Sequence, residues 1–157
     1  MVNWLKSLFA GPKPAGPPQL LRVFASDQPT ITQTGIRVEN GAWHIDAQAE
    51  EPTIRLFEVE DPAVEHCLVT YRAELKVEGL QGRAFLEMWC RLPGRGEFFS
   101  KGYQQAVSGT VDWAPDEIPF YLKRDQKPDL IKLNVVVEGP GTVWLRDVEL
   151  LKTPLAS

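Results

Sequence analysis

Between Cys67 and Val77 the chain alternates without a break. Cys67, Val69, Tyr71, Ala73, Leu75 and Val77 take every second place, and Arg72, Glu74, Lys76 and Glu78 supply the polar places beside them. A side-chain period of two describes an antiparallel strand with one face in a core and the other toward water. The next run repeats the pattern: Ala84, Leu86, Met88 and Cys90 form one face, Phe85, Glu87, Trp89 and Arg91 the other. Gly79 to Gly82 reads as the turn between the two runs.

The same period recurs along the chain. Trp43, Ile45 and Ala47 alternate with His44 and Asp46, and Ile54 and Leu56 with Thr53 and Arg55. Ile118, Phe120 and Leu122 form a later strand, and Ile131, Leu133, Val135 and Val137 are the inward side of Leu130 to Glu138. Gly139-Pro140-Gly141 makes a tight turn before a final strand, Thr142 to Leu151. The 13 Pro and 12 Gly cluster between these runs, as turn residues do. Nine or ten strands with no interleaved helices predict an all-β protein, an antiparallel sandwich of jelly-roll type.

The N-terminus differs. In residues 1–10, Val2, Leu5 and Phe9, with Trp4 and Leu8, fall at helical spacing opposite Asn3, Lys6 and Ser7. Ten residues are too few for a helix stable alone in water, so the segment needs a membrane surface or a partner groove. Residues 11–18 hold four prolines and read as an extended spacer. The expected organisation is an amphipathic segment at 1–10, a spacer at 11–18 and a sandwich at 19–157.

A net charge of −4 and no basic cluster argue against nucleic acid as a partner. Cys67 and Cys90 lie in apolar alternating runs and read as buried thiols. No apolar run is long enough to span a membrane, and no leader is apparent. A cytoplasmic location is favoured, with peripheral attachment at a membrane surface as an extension of the anchor reading.

The chain's last strand pair reads Leu133-Asn134-Val135-Val136-Val137-Glu138-Gly139, then Gly141-Thr142-Val143-Trp144-Leu145-Arg146-Asp147-Val148-Glu149-Leu150. This resembles the closing strands of the galactose-binding-like jelly-roll superfamily, to which many carbohydrate-binding modules belong. The resemblance runs from Tyr71 to Leu150 and implies the jelly-roll fold. It also implies a calcium candidate at Asp147, where several such modules place a metal-holding Asp; Arg146 stands where the family has a first acidic residue. No cofactor is implied.

Catalytic chemistry is not legible. His44 and His66 lack metal-ligand spacing and read as surface histidines, and there is no nucleophile elbow, phosphate loop or dinucleotide fingerprint. The expected protein is not an enzyme. The candidate binding face is Phe85, Glu87, Trp89 and Arg91, with Arg72 alongside if the two strands are hairpin neighbours, and with Tyr121 pointing opposite Phe120. Aromatic and charged groups mixed on one strand suit a protein partner or a sugar ring. Two functions follow. The preferred one is a docking subunit of a membrane-associated complex, bound to protein partners and anchored by Val2, Trp4, Leu5, Leu8 and Phe9. The alternative is a carbohydrate-binding module with an aromatic-lined sheet face.

Overall fold

The computed structural model describes residues 13–47 and 50–156. Their strands are β1 (Gln19–Phe24), β2 (Ile36–Glu39), β3 (Ala42–Ala47), β4 (Thr53–Glu60), β5 (Cys67–Leu92), β6 (Gly96–Lys101), β7 (Val107–Leu122), β8 (Leu130–Val137) and β9 (Gly141–Pro154). One short 3₁₀ turn, Tyr103–Gln105, joins β6 to β7. Every strand pair is antiparallel. The fold class is all-β, as the alternation predicts.

The expected turn at Gly79–Gly82 is not a turn. β5 runs through it as one 26-residue strand. Its first half, up to Glu78, pairs with β7 and β9; its second half, from Ala84, pairs with β8 and β6. The strand therefore bends from one layer of the sandwich into the other. The glycines permit the bend: Gly79 has φ +61°, and Gly82 lies so close to the Glu138 carbonyl that a Cβ has no room. One layer is β4–β8–β5–β6, the other β2–β3–β9–β5–β7 with β1 beside β9.

The core lies between the layers and is built from the alternating apolar sets. Val69, Tyr71 and Val77 of β5 face Leu86, Met88 and Cys90 of its second half, and Ile131, Leu133, Val135, Val143, Leu145 and Leu150 complete the interior. In β9 the period slips at Asp147 and Val148, which together oppose Ala73 between the Arg72–Glu149 and Glu74–Arg146 pairs. Asp147 takes φ +55°, the left-handed conformation that Asp tolerates, so this is a β-bulge that keeps Val148 and Leu150 inward. Cys67 and Cys90 are buried free thiols, as read from the sequence.

One other expectation is corrected. His44 is buried, not on the surface: its Nδ1 lies 3.0 Å from Glu39 and its Nε2 3.0 Å from Asp46, and its ring packs edge-on against Trp144. Neighbouring strands β2 and β9 flank it and cover it. The segment Glu97 to Ser100 is part of β6, which extends the sheet and pairs Phe99 with Trp89.

Within residues 11–18, Pro14 bridges to Leu155, Ala15 N donates to Pro154 O at 2.7 Å, and Ala156 N donates to Lys13 O at 2.7 Å. The chain thus enters the body alongside the C-terminal strand.

Candidate functional site

The outward face of the β4–β8–β5–β6 layer is assembled by register. Glu87 sits opposite Asn134 on one side and Lys101 on the other; Trp89 sits between Lys132 and Phe99; Arg55 lies opposite Asn134 from β4. Thr53, Arg55, Glu87, Trp89, Glu97, Lys101, Lys132 and Asn134 line a groove of about 430 Å³ across all four strands.

Its floor is polar and internally paired. Glu87 is only 5 % exposed. Asn134 Nδ2 donates to Glu87 Oε1 at 2.8 Å, and Lys101 Nζ stands 3.5 Å from Glu87 Oε2. A buried carboxylate with two donors avoids the cost of an unpaired charge. Tyr71, from the other layer, donates its hydroxyl to the Asn134 carbonyl oxygen at 3.1 Å through the core. Its phenol is pushed up by burial, and by Asp116 and Glu87, so it stays a neutral donor. Asn134 is thus held from both sides of its strand.

The wall is aromatic. Trp89 tilts against Phe99 with ring centroids 5.2 Å apart. The Lys101 ammonium lies 4.5 Å from the Phe99 centroid and 5.8 Å from that of Trp89. Phe99 is exposed and Trp89 half-buried, so the pair presents ring surface beside hydrogen-bonding groups. Lys132 reaches Glu97 at 2.8 Å along the rim.

The candidate face named from sequence divides between the two layers. Glu87 and Trp89 line the groove. Phe85 shares their strand face but is buried, packed at 4.8 Å against Tyr103 with the Arg83 guanidinium over it, and offers no free ring. Arg91 lies beyond the groove lining. Its guanidinium is turned to Asp129, with contacts of 2.8 and 3.3 Å, and that carboxylate raises its pKa. Arg72 and Tyr121 lie on the opposite layer: Arg72 pairs with Glu149 at 2.6 Å, and Tyr121 is exposed beside Leu68. The hairpin-neighbour premise fails because Arg72 and Trp89 belong to the same strand on either side of its bend.

The groove also holds Arg55, Lys101, Lys132 and Asn134, none of which the sequence reading singled out. A signal existed for two of them. Lys132 and Asn134 are the only polar residues of Leu130–Val137, and both fall on the face away from Ile131, Leu133 and Val135.

Asp147 projects from the bulge into solvent, with Arg146 Nε 3.8 Å from its carboxylate; Arg146 also lies 3.9 Å over the Trp113 ring. Among the described residues no three His, Cys, Asp or Glu side chains are grouped to hold a metal ion. The anchor residues Val2, Trp4, Leu5, Leu8 and Phe9 lie outside the described residues.

No protein-family model matches the chain. No curated protein sequence matches it either. Solved structures do match in fold. The chain is similar to the CBM22-1 xylan-binding domain of Paenibacillus barcinonensis Xyn10C, at 12 % identity and TM-score 0.57, over 94 % of this chain and 100 % of that one. It is similar to a family 4 carbohydrate-binding module, CBM4, at 14 % identity and TM-score 0.53, over 83 % of this chain and 77 % of that one. A family 29 carbohydrate-binding module matches at 13 % identity and TM-score 0.50, over 88 % of this chain and 92 % of that one. The fold is that of the carbohydrate-binding-module jelly rolls, in line with the resemblance seen in the closing strands.

The docking-subunit reading is corrected by these matches. Across most of its length the chain has the fold of carbohydrate-binding modules, and no described helix is long and apolar enough to cross a membrane. Nothing in the described residues supports an anchored subunit of a membrane-associated complex, and the second reading, a sugar-binding face, fits better.

Proposed function

We propose that the chain is a non-catalytic carbohydrate-binding module and that the groove over β4–β8–β5–β6 takes a stretch of polysaccharide. The observation that carries this reading is the pairing of an aromatic wall with a fixed polar floor on one open sheet face. Trp89 and Phe99 offer ring surface to the apolar face of a pyranose. Glu87, Asn134, Lys101, Lys132 and Arg55 offer donors and acceptors to its hydroxyls. The floor groups are held by one another and by Tyr71, so little ordering entropy is lost when a ligand arrives. The groove is open along the sheet, which suits a chain rather than an enclosed monosaccharide. The fold likeness to binding modules supports the same class of ligand.

The test is native gel electrophoresis through soluble xylan, mannan and glucan. At least one polymer is expected to retard the protein, and Trp89→Ala is expected to abolish the retardation while leaving the melting temperature within a few degrees. Migration unchanged by every polymer, or retardation undiminished by Trp89→Ala, contradicts the proposal.

A further inference from the structure

β6 is the outer strand of its layer, and nothing among the described residues blunts its free edge. A strand edge is an open template for another chain, and folded proteins protect it with bulges, prolines, charges or a covering segment. The other edges here carry such devices. Ile31 N donates to Leu56 O at 3.0 Å and Thr32 N to Arg55 O at 2.8 Å, which covers β4. β7 holds Pro115 and Pro119, β1 breaks register between Leu20 and Arg22, and β2 is four residues long and bears Arg37 and Glu39. β6 instead pairs with β5 in unbroken register and has no proline. It exposes Phe98 on one face of the sheet and Phe99 on the other, by 45 % and 53 %.

The phase of the β5–β6 ladder fixes which backbone groups are free. Gly102 N donates to Leu86 O at 2.9 Å, so Leu86 and Gly102 form a hydrogen-bonded pair. Bonded and non-bonded pairs alternate in an antiparallel ladder, which makes Glu87–Lys101, Trp89–Phe99 and Arg91–Glu97 the non-bonded ones. The backbone N–H and C=O of Glu97, Phe99 and Lys101 therefore point away from β5, and none has a backbone partner among the described residues. We propose that β6 of a second copy of this chain pairs with this edge, antiparallel, with Phe99 opposite Phe99. The strand's own sequence selects that occupant. A two-fold axis through Phe99, normal to the sheet, sets Glu97 against the second copy's Lys101 and Lys101 against its Glu97. These three positions are the ones with free backbone groups, so one register satisfies both charge and hydrogen bonding. A register displaced by two residues instead sets Lys101 against the second copy's Arg95, or carries Glu97 past the strand end to its Tyr103. Glu97 keeps Lys132 and Lys101 keeps Glu87, since a carboxylate accepts and an ammonium donates more than once. On the inner face the exposed Phe98 ring gains Ser100 of the second copy as its cross-strand neighbour. The pairing joins two four-stranded layers into one and sets their Trp89–Phe99 walls side by side. The use of that joined wall by a polysaccharide rests on the function proposed above; the pairing itself does not.

Sedimentation velocity of the full chain from about 5 µM to about 500 µM tests the pairing. A monomer–dimer equilibrium is expected, with the dimer prevailing at the upper end; a monomer at every concentration overturns the proposal. Register is tested by cross-linking. Phe99→Cys places the new thiol opposite itself, at about 5.5 Å between Cα atoms and within disulfide reach. In Glu97→Cys the two new thiols stand about 14 Å apart. Mild oxidation is expected to link Phe99→Cys into a covalent dimer at least tenfold faster than Glu97→Cys, while the buried Cys67 and Cys90 stay out of the reaction. Equal linking rates overturn the proposal. Glu97→Lys and Lys101→Glu are each expected to weaken the dimer at least tenfold, and an equimolar mixture of the two to regain it, because both mismatched pairs become matched. A dimer indifferent to either reversal, or a mixture that stays monomeric, overturns the proposal. If Lys101→Glu unfolds beside Glu87, the cross-linking comparison decides. None of these readouts involves a sugar, so failure here leaves the groove reading standing.

Discussion

Asn134 donates from its side-chain amide to Glu87 at 2.8 Å, and the two residues also face each other across the β8–β5 ladder. Backbone pairing and side-chain pairing thus fix the same contact. Glu87 has a second partner in Lys101 at 3.5 Å. Replacing Glu87 by Ala leaves an amide and an ammonium facing a vacated site and is expected to cost about 1–3 kcal/mol of stability. Glu87→Gln keeps an acceptor for Asn134 and is expected to cost less than half as much. Urea unfolding of both variants checks this; equal losses contradict the pairing.

The bend in β5 depends on Gly82. Adding a Cβ there drives it into the Glu138 carbonyl, which is backbone and has little freedom to move. Gly82→Ala is expected to destabilise by about 2–3 kcal/mol, the size of a forced backbone shift. Gly94→Ala meets open space and suffers only from its φ of +76°, about 1 kcal/mol. Thermal melts of the two variants should keep that order, and a reversed order contradicts the account of the bend.

Asp116 is a buried carboxyl on β7 opposite Ala73, and its Oδ2 has no hydrogen-bond partner among the described residues. Burial pushes its pKa up to about 6 from 3.8, against a lowering hydrogen bond from the Glu117 backbone. The folded chain therefore holds this proton more tightly than the unfolded chain. The group's contribution to stability falls as pH rises from about 4 to about 6 and stays lost above that. Asp116→Asn mimics the protonated form. It is expected to be more stable than the parent at pH 8 and close to it at pH 4, so the difference between the two grows across that window. Denaturant titrations at both values measure it; a difference independent of pH contradicts the assignment.

Cys67 and Cys90 are both buried free thiols, and burial pushes Cys90 up to about 12 with a further push from Cys67. A thiol held protonated and out of solvent does not attack a disulfide reagent. At pH 8 the native protein is expected to react no faster than it unfolds, and two thiols per chain appear in denaturant. Rapid native labelling of either residue contradicts their place in the core.

The fold was legible because its signal is local. Alternation in Cys67–Val77, Ala84–Cys90 and Ile131–Val137 names the residues that the structure buries, and period two admits one element type. What alternation cannot show is which layer a strand joins. Gly79 to Gly82 reads the same whether the chain reverses or bends, so Arg72 was placed beside Trp89 when the two lie on opposite faces. Phe85 and Trp89 share one strand face, yet only neighbours from distant parts of the chain, Tyr103 for one and Phe99 for the other, decide which ring is covered. His44 shows the same limit: its polar-face position is right, but β2 and β9 close over it. The groove's basic side chains were missed because β4, β6 and β8 each supply one or two, and no single segment carries the set.

The most direct measurement is a titration of the ¹⁵N-labelled protein with an oligosaccharide of the polymer that retards it, followed at the tryptophan indoles. Trp89 lies in the groove, whereas Trp113 and Trp144 lie on the opposite layer, under Arg146 and beside Lys76 and His44. The account predicts that the Trp89 indole and the Asn134 side-chain amide shift together and saturate, with Trp113 and Trp144 unmoved. Shifts centred on Trp113 and Trp144, with Trp89 unmoved, would place the sugar on the wrong layer and contradict the groove as the binding site.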